Sequence, residues 1–206
     1  IDFMFMWTVE QIIPFTEIFF SLSQNTFLGS NTGAANTTGS DNVMLGAYNA
    51  LSYFHTGNAN VFIGETAGGS NTTGSANTMV GYETGRDNSS GSNNTLFGHR
   101  AQNYTQQSST RNSNNTLAGA GIRSFGEFNT IIGYGAWGGQ LYNTSIGVQA
   151  GGASFSITAT SNVIMGTNAG RSIQSGSANS FLGDNAGGYN STGGYNVYLG
   201  TNSGNG

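Results

Sequence analysis

The feature that most limits how this chain can fold is a five-residue motif that occurs eleven times. Each copy reads Asn, a residue that is usually Thr or Val, two residues that are usually apolar, and Gly. The copies are 17, 18, 17, 17, 21, 14, 14, 19, 17 and 17 residues apart. A period near 17 that is disturbed only in the middle indicates a repeat array. The motifs end at Gly29, Gly46, Gly64, Gly81, Gly98, Gly119, Gly133, Gly147, Gly166, Gly183 and Gly200.

Each repeat has room for one short strand and for turns. A second glycine follows the motif glycine by four residues in seven copies, and a third follows it by ten residues in five copies. Such glycines favour turns. One such strand cannot bury a core alone, but stacked copies can, with neighbouring strands paired in parallel about 4.8 Å apart. The sequence therefore predicts an all-β fold: a parallel β-solenoid of about eleven coils over residues 25–206, with irregular middle coils at 99–161.

The composition excludes several other classes of protein. Gly, Asn, Ser and Thr make up just over half of the 206 residues, and only 7% of the residues are charged. With no lysine and a net charge of −4, the chain lacks the basic surface that nucleic-acid binding requires. It contains no cysteine, so disulfides and thiolate metal sites are excluded. So polar a composition is typical of disorder, but here the apolar residues recur at fixed places in a repeat.

The two faces of the strand lead to a prediction about assembly. Side chains alternate along a strand, so the residue before the motif glycine shares a face with the residue two positions earlier, and we predict that this face forms the coil interior. The opposite face then carries the asparagine and the middle residue, which is large and apolar in ten of the eleven copies. Such a stripe is costly in water, so we expect a homotrimer that buries it, with the asparagines stacked in amide ladders beside it. The predicted trimer interface consists of Phe27, Met44, Phe62, Met79, Leu96, Leu117, Ile131, Ile164, Phe181 and Tyr198.

The motif with its flanks resembles a known family of repeats. Runs such as Gly91-Ser92-Asn93-Asn94-Thr95-Leu96-Phe97-Gly98 and Ser113-Asn114-Asn115-Thr116-Leu117-Ala118-Gly119 are similar to the head repeats of YadA-like trimeric autotransporter adhesins and to the Asn-Thr-x-Ile-Gly repeats of phage tail fibres. The resemblance covers residues 25–204. It implies a left-handed β-roll, three chains per fibre, display outside the cell or on a virion, and a function in attachment.

The chain also departs from this family. The family's coils are commonly nearer 14 residues, a length matched here only between Gly119 and Gly147. The sequence shows neither a membrane-anchor barrel nor a coiled-coil stalk, so we expect it to be one segment of a longer fibre.

Residues 1–24 form a separate region, in which 14 of the 24 residues are apolar. Acidic residues and Pro14 interrupt the run, which argues against a membrane span, and no basic region precedes it, which argues against a signal peptide. We expect this segment to cap the open end of the solenoid. The alternative is a docking segment that inserts into a neighbouring subunit or particle.

The irregular middle contains the candidate binding residues, because insertions in repeat arrays map to loops and loops carry binding. Aromatic rings beside amides and hydroxyls suit sugars, which offer apolar C–H faces and hydroxyl edges. The alternative is that these rings fill the trimer interior where the coils shorten. The candidates are Phe125, Phe128, Tyr134, Trp137 and Tyr142, with Arg100 and Arg111 from the lengthened turn.

No pattern in the sequence indicates catalysis, a metal or a cofactor. His55 and His99 lie in different repeats, with no nucleophile or carboxylate at a repeated spacing beside either. We therefore expect a non-enzymatic, extracellular fibre segment for attachment to a surface or host receptor, a glycan or a protein. Two alternatives stay open: a purely structural filament or spacer, and an ice-binding solenoid. The second is motivated by the turn residues Thr38, Thr73, Ser90, Ser175 and Thr192.

Overall fold

The computed structural model describes residues 24–49, 55–103, 112–152 and 158–205. Within these ranges all regular secondary structure consists of short strands, and no helix is present. The predicted N-terminal cap lies outside the described residues, apart from Gln24. The strands are β1 (Thr26–Leu28), β2 (Val43–Leu45), β3 (Val61–Ile63), β4 (Thr78–Val80), β5 (Thr95–Phe97), β6 (Gln102–Asn103), β7 (Thr116–Ala118), β8 (Arg123–Ser124), β9 (Thr130–Ile132), β10 (Trp137–Gly138), β11 (Thr144–Ile146), β12 (Val163–Met165), β13 (Ser180–Leu182) and β14 (Val197–Leu199).

Eleven of these strands, one from each motif, form a single parallel sheet in the order β1-β2-β3-β4-β5-β7-β9-β11-β12-β13-β14. The pairing keeps the motifs in register, so that middle residues such as Phe62 and Met79 lie side by side. The predicted all-β parallel solenoid is therefore confirmed. The three remaining strands pair as β10-β8-β6, a second parallel sheet built within the irregular middle of the array.

The motif glycines are required by the backbone and by close packing between coils. Gly81 has φ +135°, a conformation that L side chains rarely adopt. A Cβ added there would also meet the carbonyl oxygen of Gly98 in the next coil. The same arrangement recurs from coil to coil, which explains why the fifth residue of the motif is always glycine.

The middle residues of the motif lie inside the coil, contrary to the prediction. Met44, Phe62 and Met79 are fully buried within the single chain, while Phe27 and Tyr198 are partly buried and pack against the core. A side chain that its own chain buries completely cannot face another subunit, so the predicted trimer interface is wrong. The residues that line the interior are Phe27, Met44, Phe62, Met79, Leu96, Leu117, Ile131, Ile164, Phe181 and Tyr198, together with Ser145. Burying each large apolar side chain contributes roughly 1.5–3 kcal/mol to folding.

The face predicted to be the interior points outward instead. The residue before the motif glycine is exposed or half-buried, as at Leu28, Phe97 and Leu182, where about half of the side chain is accessible. The assignment failed because two adjacent residues of the motif are apolar, and strand alternation alone does not say which of them faces inward. The outward row consists of Leu28, Leu45, Ile63, Val80, Phe97, Ala118, Ile132, Ile146, Met165, Leu182 and Leu199.

The motif asparagines form the predicted amide ladder, but inside the coil. In the regular coils, Nδ2 of Asn60 donates to Oδ1 of Asn42 at 3.0 Å and to the carbonyl oxygen of Gly74 at 2.9 Å. The backbone amide of Asn60 also donates to Oδ1 of Asn42 at 3.0 Å. These buried amides are thus satisfied by their neighbours, which removes most of the cost of burying a polar group. The ladder joins Asn25, Asn42, Asn60, Asn77, Asn94, Asn115, Asn129, Asn143, Asn162, Asn179 and Asn196.

Candidate functional site

Aromatic side chains at equivalent positions of adjacent coils stack on one another. The rings of Phe128 and Tyr142 have centroids 5.0 Å apart and an interplanar angle of 15°. Tyr82 and His99 are stacked at 5.4 Å and 10°. Each separation is close to the spacing of parallel strands, so the stacks follow directly from the in-register repeat.

The Phe128–Tyr142 pair is the most exposed of the predicted aromatic contacts. The two side chains are 45% and 58% accessible. Each lies immediately before a motif asparagine, and each has a left-handed backbone, with φ 58° at Phe128 and 57° at Tyr142. This conformation is uncommon for bulky residues. The first and last coils carry Gln24 and Tyr195 at this position, and the other seven coils carry smaller residues there, namely Asp41, Ala59, Ala76, Asn93, Asn114, Ser161 and Ala178.

A second predicted pair is mainly structural. Phe125 and Trp137 are half-buried, pack against the core of the C-terminal coils, and have ring centroids 5.6 Å apart. The guanidinium of Arg123 lies over the Trp137 ring at 5.2 Å, a cation–π contact between β8 and β10. These rings fill space within their own chain, where the coils shorten. Tyr134 belongs to neither pair and is 64% accessible.

The predicted arginines do not join the aromatic residues. Nε of Arg100 donates to Oε2 of Glu83 at 2.7 Å, and the guanidinium lies 5.9 Å from the Tyr82 ring centroid. The hydrogen bond from Arg100 is the main reason that the pKa of Glu83 lies below its usual value. Arg86 approaches Glu83 from the same coil at 3.4 Å. Arg111 lies outside the described residues.

Two buried polar residues were not foreseen from the sequence. Ser124 enters the amide ladder between Asn115 and Asn129: its hydroxyl donates to Oδ1 of Asn115 at 3.2 Å and accepts from Nδ2 of Asn129 at 3.0 Å. Nothing in the motif marks this serine, because it acts only where two coils shorten. Its position explains how the ladder continues across the short coils.

His55 belongs to a second, shorter column of buried polar side chains. Its Nδ1 lies 3.1 Å from Oδ1 of Asn36, and its Nε2 lies 3.0 Å from Nδ2 of Asn71. The neutral ring therefore donates to Asn36 and accepts from Asn71. Burial lowers the pKa of His55 to about 4. The sequence holds a signal for this site, since other coils place an asparagine six residues before the next motif, as at Asn36, Asn71 and Asn88. His55 lies five residues before its next motif and pairs with Asn36 as the equivalent residue.

Comparisons with known proteins give no relative. No family model, no curated protein and no solved structure matches this chain. Across the described ranges, no helix has the length and apolar character needed to cross a membrane. Within the same ranges, histidine and carboxylate side chains do not gather in groups of three or more that would suit a metal ion.

Proposed function

We propose that this chain is a non-enzymatic segment of a homotrimeric fibre, displayed outside the cell or on a virion, that serves attachment to a surface or host receptor. The observation that carries the proposal is the outward face of the eleven-stranded sheet. This face holds 22 side chains, two from each strand, and none of them is charged. One row is the outward row from Leu28 to Leu199, and the other consists of Thr, Val and Ser.

The size and continuity of this face favour association. Ten strand spacings give a length of about 48 Å, and two outward side chains give a width of about 10 Å, so the face covers on the order of 500 Å². The largest apolar patch on a soluble protein is often functional, and this one runs along the whole sheet without interruption by a charge. Parallel sheets are normally covered on both faces, so the exposed face of this sheet favours a partner that covers it.

The geometry of a rod favours three-fold closure. A stripe two side chains wide that runs the length of the molecule is buried most simply by copies related by rotation about an axis parallel to the rod. Three copies leave the turns of each coil on the fibre surface, where a receptor can reach them. The resemblance of the repeats to trimeric adhesin heads and phage tail fibres supports the same arrangement.

The proposal is tested by the solution mass of the purified chain and of two variants. Light scattering is expected to give three times the chain mass of 21.3 kDa. The double substitution Phe97→Asp and Leu182→Asp adds charge to the outward row and is expected to give a folded monomer. The control substitutions Asn93→Asp and Ser161→Asp add the same charge at exposed residues outside the strands and are expected to stay trimeric. A wild-type monomer, or a variant that assembles like wild type, would contradict the proposal.

One observation favours an ice-binding solenoid as a second candidate. Six strands begin with an outward threonine, and parallel pairing spaces those on neighbouring strands about 4.8 Å apart, as a regular hydroxyl array requires. The bulky outward row beside them breaks the flatness of this array, so we place this function second. Thermal hysteresis in a freezing assay would favour ice binding. The six threonines are Thr26, Thr78, Thr95, Thr116, Thr130 and Thr144.

A further inference from the structure

We propose that the Phe128–Tyr142 stack is the carbohydrate-binding site of this segment and takes a neutral glycan. This inference rests on the attachment function proposed above and names its ligand class. The two residues have a backbone conformation that is unusual for side chains of their size. A bulky L-residue in the left-handed region costs about 1 kcal/mol or more. Both side chains are also about half exposed, so burial in the core offsets only part of that cost.

The stack belongs to a column of side chains that runs along four successive coils. The residues before the motif asparagines are Asn114, Phe128, Tyr142 and Ser161, with φ 61°, 58°, 57° and 58°. Because these backbones share one conformation, their side chains leave the coils in the same direction and form the steps of one column. The two aromatic residues occupy the middle steps, and the two small residues occupy the outer steps.

The outer steps of the column carry short polar side chains. Asn114 and Ser161 are exposed, and their side chains make no hydrogen bond to another described residue. A pyranose ring is similar in thickness to an aromatic ring, so a sugar fits against the outer face of Phe128 above Asn114, or against the outer face of Tyr142 above Ser161. Its apolar C–H face would contact the ring, while its hydroxyl groups would bond to the amide or the hydroxyl.

The charge around the column selects a neutral glycan. None of its four side chains is charged, and Glu127, next to Phe128 in the chain, adds negative charge. The chain as a whole carries a net charge of −4, which disfavours an acidic polysaccharide. A neutral hexose polymer matches both the apolar faces and the amide and hydroxyl groups.

The test is binding of defined neutral oligosaccharides, measured by calorimetry. The probes are cellohexaose, maltohexaose, mannohexaose and chitohexaose, with hexagalacturonate as the acidic comparison. The key variant carries Phe128→Asn and Tyr142→Asn, because asparagine tolerates the left-handed backbone and occupies the same position at Asn93 and Asn114. The variant should therefore fold with an unchanged or higher melting temperature. At least one neutral probe should bind wild type and bind the variant at least tenfold more weakly.

A matched control is available in another coil. Tyr195 precedes a motif asparagine, has φ 60° and is 89% accessible, but no aromatic residue occupies the same position in the preceding coil, where Ala178 lies. The substitution Tyr195→Asn should leave binding unchanged. The inference is overturned if no neutral probe binds at about 1 mM protein and ligand, if the double variant binds as tightly as wild type, or if hexagalacturonate binds most tightly.

Light scattering on the same samples separates this inference from the trimer proposal. A trimer that binds no neutral probe would overturn the glycan site alone. A monomer that binds a probe through Phe128 and Tyr142 would overturn the trimer alone. A double variant that loses its trimeric mass would show that the stack is a subunit contact, and this result would overturn the glycan site.

Discussion

The side-chain oxygen of Asn77 accepts two hydrogen bonds from Asn94 in the next coil, one from its backbone amide at 3.0 Å and one from its Nδ2 at 2.9 Å. Asparagine fits this place because its side chain presents an acceptor toward one neighbouring coil and donors toward the other. Neither aspartate nor an apolar residue reproduces both contacts. The stability of the stack should therefore depend on the amide itself rather than on polarity in general.

Asn94→Asp is expected to destabilise the fold by about 3 kcal/mol or more, because it places a carboxylate oxygen against Oδ1 of Asn77 in a fully buried position. Urea unfolding followed by circular dichroism measures the effect. Asn93→Asp, one residue earlier and exposed, is the control and should change stability by less than about 0.5 kcal/mol. Equal effects at the two positions would contradict the role assigned to the ladder.

Gly81→Ala is expected to cost about 3 kcal/mol or more, because φ is +135° and the added Cβ would meet the Gly98 carbonyl oxygen. The control is Gly121→Ala, where φ is +64° and the space around the added Cβ is open. That substitution should cost only about 1 kcal/mol. Thermal unfolding of both variants checks the difference, and a similar loss in both would mean that close packing between coils does not set the glycine requirement.

His55 is expected to make stability depend on pH. Its pKa in the folded chain is about 4, whereas an unfolded histidine titrates near 6.5. Between these values the unfolded chain binds the extra proton, so stability is fully present above about pH 6.5 and falls as the pH drops toward 4. The loss specific to His55 amounts to at most about 3 kcal/mol.

The measurement is the difference in unfolding free energy between wild type and His55→Asn across this pH range. Asparagine is the residue that neighbouring coils place at the same position, as at Asn71, so the variant should fold and lose this part of the pH dependence. His99→Asn serves as the control, since His99 is exposed. If wild type and His55→Asn respond identically to pH, the ring does not titrate as assigned.

Leu96 and Phe97 are adjacent apolar residues for which we expect opposite results. Leu96 is fully buried, whereas Phe97 is 45% accessible on the outward face. Leu96→Asp should prevent folding, because it buries an unpaired charge. Phe97→Asp should leave the secondary structure intact, as judged by circular dichroism. If Phe97→Asp unfolds the chain as completely as Leu96→Asp, the assignment of the two faces is in error.

The sequence predicted part of the candidate site, the exposed pair Phe128 and Tyr142, but not which residues lie beside this pair. The sequence singled out both residues, because aromatic rings are dense in the irregular coils. It also grouped them with Trp137 and Arg100, which the structure separates. Trp137 packs on the core of its own chain and Arg100 pairs with Glu83, and both outcomes depend on how the coils are offset in space.

The sequence by itself determined the parallel, in-register solenoid. The repeated motif fixes one strand per coil, its glycines permit the close approach of neighbouring coils, and its asparagines form the ladder. Only the tertiary structure decided which face of the motif lies inside. Two neighbouring apolar residues satisfy strand alternation equally well in either direction. The choice follows from the bends of the coil, where the asparagine amide satisfies buried carbonyl groups such as that of Gly74 and thereby places the middle residue in the core.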